Sequence, residues 1–307
     1  MTGTHSSLPA PVARVWEPLL ERSRSKRALL LMAPLLLFEL LLFVAPFLIL
    51  LRISVTEGST DLRYAPGTWS LEGYAEVFTT DVLLGAIAYS FKMGLAATAI
   101  AVVIATGYAY AIWRAEGLLK SLLLFSVVLP LLTTLVIKTY AFWPLLSPTG
   151  TVNDILVSLN LISEPIQFVP GTTGVIVGQV YIVLPYAVLA IYSVLSTMDW
   201  GLVEAARDLG ASRPRAALEI VVPQAMPGII VATVISFAWS VGAYAAPGLL
   251  GAGDDLAFAL EVEKRLLSNL QWEIATAYAL VMLLLMLVSI ALLTAVLNVF
   301  GGEFEYA

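Results

Sequence analysis

The stretch EAARDLG, Glu204 to Gly210, sets Glu204, Arg207 and Asp208 close together and ends on a glycine. Two carboxylates and a guanidinium on one short helix can form directed ion pairs and hydrogen bonds. They are not equipped for bond-making chemistry. The chain has no cysteine and one histidine, His5. Disulfides, thiolate metal sites and cysteine nucleophiles are therefore excluded, and a histidine-ligated metal site is not expected. No GxxxxGK[ST] phosphate loop is present, and the nearest glycine-rich run, Gly248 to Gly253, does not match it. The chain cannot hydrolyse ATP by that machinery. No catalytic residue, metal or cofactor is predicted. By itself the stretch fits either a solvated loop helix packed on a bundle or a docking surface for another protein.

A second group of side chains could bind a solute. Tyr181, Tyr186, Trp239 and Tyr244 offer aromatic faces that can hold an organic cation, although aromatic residues on helices serve equally in packing. Glu39, Lys92 and Lys138 fall inside apolar runs. Glu39 lies roughly 16 Å into its run at the helical rise. Such an acid is expected to face protein or to be protonated. Lys92 and Lys138 lie near the ends of their runs, where lysine can snorkel. If Lys138 lines the outer mouth of a path, it disfavours a cation.

The elements that carry these residues are read from composition. The chain has 307 residues, 60% hydrophobic and only 12% charged. Its mean hydropathy is +0.91, its net charge −6 and its pI about 4.9. These values predict an all-α integral membrane protein and no nucleic-acid partner. Six apolar segments are long enough to span, each needing ~20 residues. They lie near Ala28–Leu51, Leu83–Trp113, Ser121–Trp143, Gly174–Leu195, Pro227–Leu250 and Ile274–Val299. Lipid offers backbone groups no water, so the segments must be helical. Residues 1–27 are expected to be a cytoplasmic tail, mostly disordered, with a short amphipathic piece at Val15–Leu20, and not a cleavable signal. Residues 28–300 form the six-helix domain, and residues 301–307 a second cytoplasmic tail.

Charge sets the orientation. Ten of the sixteen lysines and arginines lie in the tail, in the loop after span two and in the loop after span four, and four lie in the opposite loops. The positive-inside rule places both termini and the loop 196–226 in the cytoplasm. In that loop Asp199 is the expected N-cap of a helix running to Leu209, with Gly210 at the left-handed C′ position. Leu202, Ala205, Ala206 and Leu209 recur at i, i+3, i+4, i+7 as one apolar stripe. Glu204, Arg207 and Asp208 lie off it. A second short helix is expected from Ser212-Arg213-Pro214 towards Val222, closed by Pro223 and Pro227. Pro185 should kink span four, and Gly242 with Pro247 should let span five bend. Thr151–Ile162 is read as a short helix on the outer surface.

The spacing across this loop is specific. Glu204-Ala205-Ala206 is followed by three residues, Gly210, nine residues and then Ile220-Val221-Val222-Pro223. This resembles the EAA motif of bacterial ABC-importer permeases, whose usual form ends I-x-L-P, with Val222 in place of leucine. Tyr181–Asp199 (YIVLPYAVLAIYSVLSTMD) and Ser236–Gly253 (SFAWSVGAYAAPGLLGAG) are similar to the spermidine/putrescine branch. So are Leu71–Phe78, Ile137–Leu156 and Leu270–Ala279. The resemblance implies a type I importer (MetI-like) fold in the inner membrane and a coupling helix that docks on a separate ATPase subunit. Glu204 would then pair with a group on that subunit. Ala205 and Ala206 would allow close approach, Arg207 and Asp208 would flank the contact, and Gly210 would set the angle between the loop's two helices. The implied partners are a second permease, an ATPase dimer and a periplasmic binding protein, and the implied solute a polyamine. The same branch takes iron(III), thiamine, phosphonates and opines, so these stay open. A self-sufficient secondary transporter would need ion sites in broken helices, and no inverted repeat is visible. A membrane enzyme would need clustered Asp, Glu or His within spans, and none occurs.

Overall fold

The computed structural model describes residues 24–59, 64–253 and 256–301. The chain divides into two compact units, one ending at Ile53 and one starting at Ser54.

In the first unit, α1 (Arg24–Glu39) runs through a π turn at Leu40–Val44 into α2 (Ala45–Ile53). Leu31–Ile53 is apolar and long enough to cross a membrane. The helix already includes Arg24, ahead of the expected limit at Ala28. Glu39 is exposed and directly precedes the π turn. His5, Val15–Leu20 and residues 302–307 lie outside the described residues.

The second unit begins with α3 (Glu72–Thr79), α4 (Asp81–Arg114) and α5 (Gly117–Val128), which ends in a 3₁₀ turn at Leu129–Leu132. Next come α6 (Leu135–Tyr140), α7 (Trp143–Leu146), α8 (Thr151–Ser158) and α9 (Thr172–Leu195). The loop helices are α10 (Gly201–Asp208) and α11 (Arg213–Ala216), and a π turn at Ala217–Val221 leads into α12 (Val222–Val241). The last elements are α13 (Ala245–Leu250), α14 (Phe258–Glu263), a π turn at Lys264–Ser268 and α15 (Trp272–Gly301). There is no strand among the described residues, only one isolated bridge between Glu57 and Ala65.

The centre of this unit is α9. In its most apolar stretch 56% of residues are buried, against 11% in α15, so α9 is the core helix and α15 a peripheral one. It packs between α4 and α12. The approach is close because the facing residues are small. Along α4, Ala97, Ala101, Ala105 and Ala109 recur every four residues, and none has any exposed surface. Lipid supplies no hydrophobic drive between helices, so such small-residue seams hold the bundle by van der Waals contact.

The bundle departs from the expected spans at two places. Span three is not one helix: Gly117–Leu132 and Leu135–Ser158 meet at 109°. Pro130 lies in the 3₁₀ turn, and Thr133 and Thr134 are both extended. A proline followed by two β-branched residues breaks a helix that hydropathy alone reads as continuous. Span five begins earlier than expected, since Arg213–Val241 is one helical run. Pro223 and Pro227 do not close it. Pro223 follows the π turn and sits in the first turn of α12, where its missing N–H is tolerated. The expected bend at Gly242 is a full break: α12 ends at Val241, and Pro247 lies in the separate α13. Among the described residues five helices are long and apolar enough to span, and six spans result if the bent pair counts as one. The bend also carries the chain into α8, inside the expected range Thr151–Ile162.

Candidate functional site

The polar loop helix is α10. Asp199 does not occupy the N-cap position, which falls to Trp200, but its carboxylate accepts the Gly201 N–H at 2.9 Å. At the other end Gly210 has φ +94°, the left-handed region predicted for it. The Gly210 N–H donates to the Arg207 carbonyl at 2.9 Å and the Ala211 N–H to the Ala206 carbonyl at 3.0 Å. This pair of bonds is a Schellman motif.

The buried face of α10 is not the expected stripe. Val203 is buried in the cluster that holds Ile112, Ile191, Leu195 and Val221, and Ala206 is half-buried against that cluster. Leu202 is 46% exposed, Leu209 91% exposed, and Ala205 is exposed. The contact is centred on Val203, about 100° round the helix from Leu202. Glu204, Arg207 and Asp208 are exposed and, with Gly210, border a polar recess of about 500 Å³. α10 thus presents charges beside an apolar row that the described residues leave uncovered.

Sequence reasoning missed Trp200. Its indole N–H donates to Glu204 Oε1 at 3.0 Å. The signal was available, since four residues is helical spacing on one face.

Three of the four aromatic candidates border two recesses. Trp239 and Tyr244 line a cavity of about 310 Å³ with Leu135, Gln179, Ile182 and Gly242. It lies where α12 breaks, and its lining holds no charged side chain. Tyr186 stacks on Trp239, with ring centres 5.3 Å apart, and so orders that ring rather than lining the cavity. Tyr181 borders a separate cavity of about 180 Å³ with Tyr108, Pro130 and Pro185. Gln179, also missed, is 1% exposed, and its Nε2 has no hydrogen-bond partner among the described residues. It stands out in the sequence only as a lone amide in span four.

Lys138 lies on α6, just past the break in span three. It is buried, lines neither cavity and donates to the Pro130 carbonyl at 3.4 Å. The break in span three turns it onto the end of the preceding turn. A cation there complements the carbonyls that a helix end leaves open. Lys92 is exposed on α4.

Residues 97–300 match the family of binding-protein-dependent transport system inner membrane components. The chain belongs to this family. It is therefore a permease, a multi-pass inner-membrane subunit of an ABC importer, and not an enzyme. A solute-binding protein is among its partners. The permease is 30% identical over 229 residues to the spermidine/putrescine transport system permease protein PotB of Salmonella typhimurium, covering 74% of this chain and 78% of that one. It is 29% identical over 254 residues to the protein of the same name from Haemophilus influenzae, covering 82% and 88%. A chain of a bacterial ABC transporter involved in the import of the acidic polysaccharide alginate superposes with a TM-score of 0.73. That match covers 93% of this permease and 98% of the other chain at 18% identity, and it shows the shared fold.

Proposed function

We propose that this permease subunit forms, with a second permease chain, the membrane path for a polyamine or related organic amine. A periplasmic binding protein delivers the solute, and an ATPase dimer docked on the loop 196–226 drives it inward. The observation that carries the solute class is the identity to spermidine/putrescine permeases across about three quarters of both chains. The cavity at Trp239 and Tyr244 supports it: aromatic faces with no cation among the lining residues suit an amine. The docking reading rests on the EAA spacing and on the exposed Glu204, Ala205 and Leu209 of α10. The test of the solute is mass spectrometry of the ligand carried by the partner binding protein. An amine is expected, and iron, thiamine or a phosphonate overturns the assignment.

Both ends of the chain are proposed to lie in the cytoplasm. The chain has no cysteine, so single cysteines report topology without background. Cysteines replacing Ser163 and Ser268 should react with an impermeant reagent added outside, and those replacing Ser121 and Ser212 only after the membrane is opened. Protection at Ser163 from outside reagent sinks the orientation.

Trp239→Ala tests the cavity. Binding proteins set most of the apparent affinity, so cavity contacts should act on the rate. Uptake of the identified ligand should lose about five- to tenfold in maximal rate, the worth of one cation–π contact, with the half-saturating concentration nearly unchanged. A collapse of apparent affinity at full maximal rate would make the cavity a primary selectivity site instead.

A further inference from the structure

The structure assigns Trp200 a positioning role: it holds Glu204 and ties the loop helix to the Arg114 end of α4. This inference rests on the docking role proposed above for α10.

Three contacts converge on one indole. Its N–H donates to Glu204 Oε1 at 3.0 Å. Its ring meets Trp113 edge-on, with centres 4.9 Å apart. The Arg114 guanidinium lies 5.3 Å from its ring centre and 5.9 Å from that of Tyr110. Trp200 is half-buried, packed on the cluster that holds Ile112, Leu195 and Val203. The arginine, two of the aromatic rings and the carboxylate therefore form one chain of contacts, from the last turn of α4 to the side chain proposed to meet the ATPase subunit.

Two consequences follow. Glu204 is exposed and would otherwise sample several rotamers. The indole fixes one carboxylate oxygen, and no hydrogen bond within the described residues involves the other. Ordering that side chain beforehand lowers the entropy lost on docking. The second consequence is mechanical. Along the backbone, α10 connects to α9 through the short segment 196–200. The Trp200 contacts give it a second attachment, to α4, whose 34 residues run the depth of the bundle along the alanine seam. A shift of α10 is then delivered to α4 as well as to α9.

The test is a double-mutant cycle in the assembled permease pair, reconstituted in nanodiscs and titrated with the purified cognate ATPase subunit. Trp200→Phe keeps a ring and removes the N–H. It should weaken docking about three- to tenfold, the cost of ordering one side chain. In a Glu204→Ala background the same change should have no further effect, since the indole acts through the carboxylate. Additive losses overturn the inference. Trp200→Tyr repeats the cycle if the phenylalanine variant fails to assemble. Trp200→Ala also loses Trp113 and Arg114, and should raise the ATP consumed per solute imported by about fivefold, a typical coupling energy. An unchanged ratio overturns the link to α4. Wild-type permease that binds no ATPase subunit overturns the importer coupling itself, and this inference with it.

Discussion

Replacing Gly210 by valine is expected to abolish import while the chain still inserts and folds. Gly210 is exposed and has φ +94°, and a Cβ built there would meet nothing within 4 Å. A side chain therefore clashes with no neighbour, and the whole penalty is backbone strain. A β-branched residue held in the left-handed region costs about 1–3 kcal/mol. The chain can relieve that strain by giving up the two Schellman bonds from Gly210 and Ala211. The path from α10 into α11 would then change, and the exposed face of α10 would turn. The buried clusters of the bundle do not include Gly210, so expression and melting temperature should stay near wild type. Uptake should fall to less than about a tenth, a change in barrier of ~1.4 kcal/mol or more. Gly210→Asn should keep much of the activity, because asparagine tolerates this region. Glu204→Lys should be equally damaging by a different route, reversing a docking charge and removing the acceptor of the Trp200 indole. Normal uptake and normal solute-stimulated ATPase activity in Gly210→Val, at equal expression, would show that the loop does not transmit motion.

Why Gly210 could be placed from the sequence while the face of α10 could not is a matter of range. The left-handed cap is a local requirement: a helix that ends on glycine, just after its last periodic residue, announces it. Which side of α10 is buried depends on how the helix seats on the bundle, through contacts such as the edge-on meeting of Trp200 with Trp113. Both partners lie off the periodic pattern, so the stripe at Leu202 and Leu209 was legible as apolar but not as uncovered. The spans show the same limit. Hydropathy gives the existence of an apolar run and not its direction. The 109° turn in span three was hidden in a run that is apolar on both sides of Pro130. The seat of Lys138 against the Pro130 carbonyl follows from that turn and not from hydropathy. The aromatic candidates suffered the same way: Tyr181 and Trp239 are both half-exposed, yet they border different recesses.

The packing of α9 on α12 yields the largest expected loss of stability. An added Cβ at Gly228 would lie 2.9 Å from the Ala190 carbonyl oxygen, 2.9 Å from Ile191 Cα and 3.0 Å from Val194 Cγ2. Two of those atoms are backbone and cannot rotate away, so the helices themselves must separate. Overpacking of this kind costs typically 1–3 kcal/mol, and a leucine, with three further carbons, should reach or exceed the upper end. In lipid no hydrophobic gain offsets the lost contact, because the separated faces meet apolar tails. The damage should not stay local. Ile191 and Ala225 belong to the same buried cluster as Val203 of α10, so moving α12 away from α9 also loosens the seat of the loop helix. Gly228→Leu should therefore lower the melting temperature in detergent by roughly 5 °C or more and weaken docking of the ATPase subunit in the same preparation. Gly107→Ala is the matched control. That glycine is exposed on α4 with nothing within 4 Å of an added Cβ, and alanine in a helix interior is favoured by about 0.5–1 kcal/mol. It should melt at or slightly above wild type. Gly228→Leu melting beside its Gly107→Ala counterpart would mean that α9 and α12 do not meet at this glycine, and that the coupling helix is seated on something other than their contact.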